Sequence, residues 1–261
     1  MNRLQMHASE LSKKTPVPQQ ATKGASSYVV EQAMARSHAE GQYSVFAPMH
    51  YEANYAYPLL VWLHGPGDDE QQLHRVMPFI SMRNYVAVSP RGVTALADRA
   101  GFSWDGDEDA TLLSQQRILD AVEQVKKRFH VDSSRIFLAG LQCGGSMAMR
   151  IGLRRPRDFA GVASLGGAFP AGRMPLRDLS GSRHLPMFLA HNRDSKRYSE
   201  EQSCLDLRLM HAAGMHITLR QYPCGDELTT KMLQDLNAWM MELVTGSRSS
   251  SEDLSWFEDA N

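Results

Sequence analysis

The chain has 261 residues, of which 43% are hydrophobic and 22% are charged, so it is long enough to bury one large core without a second domain. Its 28 basic and 29 acidic residues give a net charge of −1, which excludes a broad electrostatic field for recruiting nucleic acid or an anionic membrane. No apolar run approaches the ~18 residues of a membrane-spanning helix, and residues 1–20 lack the apolar stretch of a secretory signal. We therefore expect a cytoplasmic protein whose three cysteines stay reduced.

The two ends of the chain differ in composition from its middle. Residues 1–26 carry Ser, Thr, Lys, Gln and prolines without an apolar period, and the stretch from residue 245 onward is rich in serine and acidic residues. Such segments cannot bury enough apolar surface to fold. We predict disordered tails at 1–26 and 245–261 around a single domain at 27–244. Residues 253–259, with the sequence DLSWFED, are either part of an unstructured tail or a short docking peptide.

Short β-rich runs alternate with longer amphipathic stretches along the middle of the chain. Apolar residues recur at helical spacing over 118–129 and again over 232–243, which indicates helices that pack one face on a sheet. Several β-rich runs are apolar at every position, as central parallel strands covered on both faces are. The pattern predicts a single-domain α/β fold with a mostly parallel central sheet and helices on both faces. The predicted strands are Tyr43–Phe46, Leu59–Leu63, Tyr85–Val88, Ile136–Ala139, Gly161–Leu165, Met187–Ala190 and Ile217–Tyr222.

Four loops that follow predicted strands carry glycine or polar residues. In an open parallel sheet, the loops at the carboxyl ends of the strands form the ligand crevice, so we expect the chemistry of this protein there. The four loops are His64-Gly65-Pro66-Gly67, Gly140-Leu141-Gln142-Cys143-Gly144-Gly145, His191-Asn192-Arg193-Asp194 and Tyr222-Pro223-Cys224-Gly225-Asp226.

The second of these loops, with the strand before it and the helix after it, resembles the nucleophile elbow of α/β-hydrolases. The elbow pattern is G-x-S-x-G, in which the glycines let strand and helix approach while the middle residue sits on a strained turn. Gly140 and Gly144 match the glycines, and Gln142 occupies the middle position. The surrounding sequence is similar to the carboxylesterase/phospholipase family, whose elbow reads Gly-Phe-Ser-Gln-Gly-Gly, over roughly residues 42–244.

The resemblance assigns roles to residues in the other loops. The family's oxyanion loop, His-Gly-x-Gly-Asp, corresponds to the stretch with Gly65 and Pro66, and the second oxyanion donor corresponds to the backbone of Cys143. Asp194 corresponds to the triad acid of a His-Gly-x-x-Asp segment, and Asp226 stands at the histidine of Tyr-Pro-Gly-Gly-His-Glu. The order nucleophile, acid, base and the separations of 52 and 32 residues fit an α/β-hydrolase.

Three of these positions lack a group that ester hydrolysis needs. The amide of Gln142 is no nucleophile, because its nitrogen lone pair is delocalised into its carbonyl. The carboxylate of Asp226 is a feeble base in place of an imidazole and offers no N–H to the triad acid. Pro66 has no backbone N–H for the oxyanion. We therefore predict a non-catalytic relative of the family, with no cofactor and no nucleic-acid partner, whose crevice binds a small acyl or ester-like molecule or a protein partner.

Two enzymatic alternatives stay open from the sequence. Cys143, one residue beyond the nucleophile position, is the candidate nucleophile of a weak or altered esterase or thioesterase, if a helix N-terminus and a nearby imidazole lower its pKa. Asp194 and Asp226, if they face one another, share a proton or hold a cation, although no ligand spacing such as HExxH supports a metal site. A third interpretation is an interaction module that acts through its tails.

Three further residues are assigned to the cleft. For His64 and His191 we expect a hydrogen bond that structures the loop rather than a catalytic role. Trp104 lies in a segment that lines the rim of the substrate cleft in the family that the chain resembles, and a loop anchor is the alternative. The sequence leaves the ligand, the partner and the oligomeric state open.

Overall fold

The computed structural model describes residues 43–97, 100–170 and 179–246, and a seven-stranded sheet forms its centre. The predicted tail at 1–26 lies outside these ranges, as does the tail at 245–261 apart from its first two residues. None of the helices in the three ranges combines the length and the apolar character that crossing a bilayer requires.

The strands of the described residues confirm the predicted α/β architecture. They are β1 (Tyr43–Phe46), β2 (Tyr57–Leu63), β3 (Val86–Pro90), β4 (Thr94–Ala95), β5 (Phe102–Ser103), β6 (Val131–Leu141), β7 (Gly161–Leu165), β8 (Met187–Asn192) and β9 (Ile217–Tyr222). The central sheet has the order β1-β3-β2-β6-β7-β8-β9, and β4 and β5 form a separate pair. β1 runs antiparallel to β3, whereas the other neighbours in the central sheet are parallel. Each predicted strand overlaps one strand of this sheet.

Strand β6 begins five residues before the predicted strand. Its extension pairs Val131 with Tyr57, beyond a register shift in the ladder with β2. Ser133 and Ser134 in this extension are exposed. The extension therefore carries no apolar run that would reveal it in the sequence.

Helices cover both faces of the central sheet. They are α1 (Gln72–Ile80), α2 (Glu108–Lys126), α3 (Cys143–Arg154), α4 (Leu179–Ser182), α5 (Glu200–Ala212) and α6 (Thr230–Thr245). Three of them begin after an N-cap residue whose side chain accepts a hydrogen bond from a backbone N–H of the first turn. These residues are Asp107 before α2, Ser199 before α5 and Thr229 before α6.

Two apolar clusters, one on each face, hold the helices against the sheet. On one face, Ile118 and Val122 of α2 and Met147 of α3 pack on residues of β2 and β6 such as Leu63. On the other face, α1 and α6 bury a second cluster that includes Trp239. Burial on both faces makes the strands rigid supports, and the loops that follow β2, β6, β8 and β9 meet at their carboxyl ends.

Candidate functional site

The turn between β6 and α3 has the geometry of a strained elbow, with Gln142 at its apex. Gln142 has φ 50° and ψ −114°, in a region that non-glycine residues rarely adopt. The glycines on either side allow a very close approach of the backbone. A Cβ on Gly144 would lie 2.4 Å from the carbonyl oxygen of Leu63, and one on Gly140 would lie 2.4 Å from the backbone of Gly144. The predicted elbow is thus present, and glycine is required at both flanking positions.

The side chain of Gln142 is held across the site. Its Nε2 donates a hydrogen bond of 2.7 Å to the backbone carbonyl of Asp226, in the loop after β9. Its backbone is held as well, because its N–H donates to the carbonyl of Leu165 at 2.8 Å and its carbonyl accepts from Ser146 at 2.9 Å. The residue at the nucleophile position therefore links the elbow to the loop that holds position 226.

The carboxylate of Asp226 is paired with a residue that the sequence analysis missed. Ser195 Oγ donates to Asp226 Oδ1 at 2.6 Å, and Arg197 Nε lies 3.9 Å from Asp226 Oδ2. Asp194, the residue assigned to the triad acid, has a carboxylate that is 58% exposed and lies 3.3 Å from Arg193 Nε. Because the backbone N–H of Asp194 donates to the carbonyl of Cys224, the turn presents Ser195 to position 226 instead.

Asp194 and Asp226, which would share a proton or hold a cation if they faced one another, make their contacts to other residues among those described. Neither a shared proton nor a bridging cation is needed, since Asp194 and Asp226 each have a different partner. The sequence did contain a signal for Ser195. The five-residue pattern His-Gly-x-x-Asp, counted from His191, ends at residue 195 and not at 194. The three triad positions then hold an amide, a hydroxyl and a carboxylate, with no imidazole among them.

The loop after β2 has no N–H left for an oxyanion. The N–H of Gly65 donates to Gln72 Oε1 at 3.2 Å. That of Gly67 donates to the carbonyl of Phe102 at 2.9 Å, and that of Asp68 to the carbonyl of Gly65 at 3.3 Å. Pro66 has no N–H to offer. Cys143 is the first residue of α3, so its N–H belongs to the helix N-terminal groups without an intrahelical acceptor. Among the described residues of the two loops that the resemblance assigns to the oxyanion, this N–H is the remaining candidate donor.

His64 is a buried structural residue. Its Nδ1 donates to the carbonyl of Gly65 at 2.8 Å, and its Nε2 accepts from the N–H of Gly92 at 2.9 Å, which fixes one neutral tautomer. Burial lowers the pKa of His64. Trp104 is also buried, and its Nε1 donates to the carbonyl of His64 at 3.1 Å. Both side chains lie beneath the loops, so Trp104 is placed as a loop anchor rather than on an open wall of the cleft.

His191 is also buried but lacks the hydrogen bond that we expected. Among the residues that the structure describes, neither of its ring nitrogens has a hydrogen-bond partner, although the residue is only 4% exposed. The ring packs edge-on against Tyr198, with centroids 5.5 Å apart, and borders a cavity of about 10 Å³, room for about one water molecule. The expected hydrogen bond of His191 is therefore absent among the described residues, and burial lowers its pKa.

In the described part of the chain, the thiol of Cys143 has a hydroxyl and no imidazole or carboxylate as its hydrogen-bond partner. Its Sγ accepts a weak hydrogen bond from Ser103 Oγ at 3.5 Å and packs against the apolar cluster of the α2 and α3 face. Neither of the two histidines considered as activating groups hydrogen-bonds to the thiol among the described residues: both nitrogens of His64 bond to backbone groups, and those of His191 bond to no described group. The described residues also contain no group of three or more His, Cys, Asp or Glu side chains that could hold a metal ion.

Comparison with known proteins agrees with the geometry of the fold. The model of the family described as Phospholipase/Carboxylesterase matches residues 49–243. The bifunctional acetylxylan esterase/xylanase XynS20E of Neocallimastix patriciarum is 27% identical over 168 residues, which is 62% of this chain and 22% of that protein. Lysophospholipase-like protein 1 of Mus musculus is 23% identical over 215 residues, 74% of this chain and 90% of its own length. The crystal structure of the Bacillus cereus carboxylesterase is 17% identical, with a TM-score of 0.64 over 82% of this chain and 99% of that one.

Proposed function

The chain belongs to the phospholipase/carboxylesterase family, and from this premise we propose that it is a member that binds at the family's crevice without hydrolysing esters. Acyl transfer requires a hydroxyl or thiol nucleophile, a base that takes its proton and donors for the oxyanion. In this chain all three requirements are compromised at the carboxyl ends of the strands. In serine hydrolases, the loss of one triad member alone lowers the catalytic rate by roughly 10⁴- to 10⁶-fold.

The observation that carries the proposal is the hydrogen bond of 2.7 Å from Gln142 Nε2 to the carbonyl of Asp226. In an active hydrolase, the side chain at the elbow must be free to attack a substrate and its neighbour must accept a proton. Here the elbow side chain donates to a backbone group, and the carboxylate of Asp226 accepts from Ser195. Gln142, Ser195 and Asp226 therefore make hydrogen bonds within the site, which supports a structural role for their side chains.

An esterase or thioesterase that uses Cys143 is the competing function. A reactive thiolate needs a base or a cationic neighbour that lowers its pKa. The partner of the Cys143 thiol is the hydroxyl of Ser103, and the helix N-terminus is the remaining activating feature. The non-catalytic proposal therefore has the stronger support.

The ligand class follows from the family and not from a bound molecule. Relatives that match this chain are named as esterases or as lysophospholipase-like, so the crevice is proposed to bind a small acyl or ester-like molecule. A protein partner at the same edge of the sheet is the second candidate. We propose that this binding takes place in the cytoplasm.

Turnover of p-nitrophenyl acyl esters tests the absence of catalysis. We expect the purified chain to release p-nitrophenol no faster than Cys143→Ala does. The matched control is Cys204→Ala, because Cys204 is an exposed thiol that esters acylate without any site. Sustained turnover that Cys143→Ala abolishes and Cys204→Ala leaves intact would overturn the proposal in favour of the thiol mechanism.

Thermal unfolding with monoacylglycerols and short acyl esters tests ligand binding. A ligand present at ten times its Kd stabilises a protein by about 1.4 kcal/mol, which raises the Tm of a domain this size by about 3–5 °C. We expect Gln142→Trp, which fills the mouth of the elbow, to remove the shift. Gln116→Trp, on the exposed side of α2, should keep it. No shift at millimolar ligand would instead favour a protein partner.

A further inference from the structure

A groove of about 460 Å³ lies at the opposite edge of the sheet from Gln142. It is bordered by the second half of α2, by the beginning of β6 and by the turn that leads into β7. Its floor is apolar, with Val122, Ile136 and Phe159. The volume falls within the range of about 300–1,000 Å³ that binding pockets in proteins have. The residues that line this groove are different from those of the candidate site at the carboxyl ends of the strands.

The rim of the groove carries an excess of positive charge. Its cationic side chains are Lys126, Arg155 and Arg157, and its anionic ones are Glu123 and Asp158. Lys126 pairs with Glu123 at 3.0 Å, and Arg155 pairs with Asp158. Within the described residues, Arg157 is exposed and has no ion pair. The groove therefore suits an occupant that combines apolar side chains with negative charge.

The chain itself leaves the fold at this edge of the sheet. Helix α6 ends at Thr245, and Gly246 caps it in the left-handed conformation. One turn earlier, the Cδ1 of Leu243 lies 3.2 Å from the position that a Cβ on Gly161 would take, only two residues beyond Phe159 of the groove floor. The eight residues that follow Gly246, up to Leu254, can span up to about 26 Å, which is long enough for the segment at 253–259 to reach the groove.

The composition of the segment 253–259 is complementary to the groove, with its apolar floor and cationic rim. It contains the apolar residues Leu254, Trp256 and Phe257 among three acids, with no basic residue. Aromatic side chains in an apolar pocket surrounded by complementary charge are the usual anchors of peptide docking. We propose that residues 253–259 of this chain dock in the groove, with the aromatic rings on its floor and the acids toward Arg157. Because the segment is tethered, its effective concentration at the groove is in the millimolar range, so a weak contact suffices.

Fluorine NMR of the full chain labelled with 5-fluorotryptophan tests this docking. The chain has four tryptophans, and Trp62, Trp104 and Trp239 are buried, so they serve as internal references for Trp256. The change in a resonance between H₂O and D₂O reports solvent exposure. We expect Trp256 to show a small change, like the three references. A change equal to that of free 5-fluorotryptophan would overturn the proposal.

Charge-reversal variants then identify the site. Arg157→Glu should raise the solvent shift of Trp256 to the value of the free amino acid, whereas Arg208→Glu, on the exposed side of α5, should not. Adding Glu258→Lys and Asp259→Lys to Arg157→Glu should restore the protection. Protection of Trp256 that survives Arg157→Glu would place the segment elsewhere. Protection that is lost on dilution would show that the occupant is the tail of a second copy.

Discussion

The elbow and the loops around it have kept different parts of a hydrolase. At the elbow, Gln142 has the strained conformation expected of a nucleophile, and Gly140 and Gly144 allow the close packing that this requires. In the surrounding loops, Asp226 and Pro66 stand at the positions that the resemblance to the family assigns to the base and to one oxyanion donor. The backbone of the site therefore has the form of a hydrolase elbow, while positions 142 and 226 carry an amide and a carboxylate.

The difference shows that two separate physical demands act on one site. The elbow is a packing feature, since α3 must lie against β2 and β6 for the core to close, and the turn follows from that contact. The strain at a positive φ costs on the order of 1–3 kcal/mol and is tolerated because the surrounding structure determines it. Packing of the core places no comparable constraint on which side chain stands at position 142. Under our proposal, the fold therefore persists without the catalytic side chains.

Restoring the reacting groups on the intact backbone should give the largest effect. We predict that Pro66→Leu, Gln142→Ser, Ser195→Asp and Asp226→His, combined in one chain, raise hydrolysis of p-nitrophenyl esters by roughly 10³-fold over the unchanged chain, or about 4 kcal/mol in activation free energy. Initial rates at a single enzyme concentration measure this. The matched control carries Gln142→Ala in place of Gln142→Ser. Equal rates for the two variants, both folded by circular dichroism, would show that the elbow no longer positions a nucleophile.

The same series decides which residue stands at the position of the acid. Without Ser195→Asp, the restored histidine would face a hydroxyl, because Ser195 is the residue that contacts position 226. Loss of the acid should lower the rate by about 10²- to 10⁴-fold relative to the complete variant. If the rate is unchanged, Asp194 supplies the acid after a rearrangement of the turn.

The sequence predicted the sheet and the elbow because their signals are local. Apolar runs such as Leu59–Leu63 mark buried strands, and the glycines at 140 and 144 mark the close approach of strand and helix. The partners of the loop side chains have no such signal. The bond from Gln142 to the backbone of Asp226 joins loops 84 residues apart and depends on no residue type at position 226. The identity of the acid position was also obscured, because an aspartate stands one residue before Ser195.

Replacing a flanking glycine of the elbow by alanine tests whether close packing fixes the turn. We predict that Gly144→Ala lowers the free energy of unfolding by about 3 kcal/mol or more, because the new Cβ would lie 2.4 Å from a backbone oxygen that cannot move aside. Urea unfolding followed by circular dichroism measures the loss. The matched control is Gly106→Ala, whose Cβ would meet the flexible end of Arg150 at 3.0 Å and should cost under about 1 kcal/mol. A Gly144→Ala chain as stable as this control would mean that the elbow is not fixed by packing.

The smallest predicted effect concerns His191, whose ring nitrogens have no hydrogen-bond partner among the described residues. Burial lowers the pKa of His191 below its ordinary value of 6.5, so the folded chain holds it neutral while the unfolded chain protonates it. Stability should therefore fall as the pH drops below about 6.5 and stop falling below the lowered pKa, since the unfolded state binds more protons in that window.

Replacing His191 by phenylalanine should remove its share of this acid sensitivity. His191→Phe keeps an edge-on ring against Tyr198 and leaves no unpaired ring nitrogens, so we predict a gain of about 1 kcal/mol at pH 7 and a smaller loss between pH 7 and 5. His64 should retain its own share, because burial lowers its pKa as well. Urea unfolding at several pH values measures the slope, with the exposed His216→Phe as control. Parallel pH profiles for the unchanged chain and His191→Phe would mean that a water molecule or another group already satisfies the ring of His191.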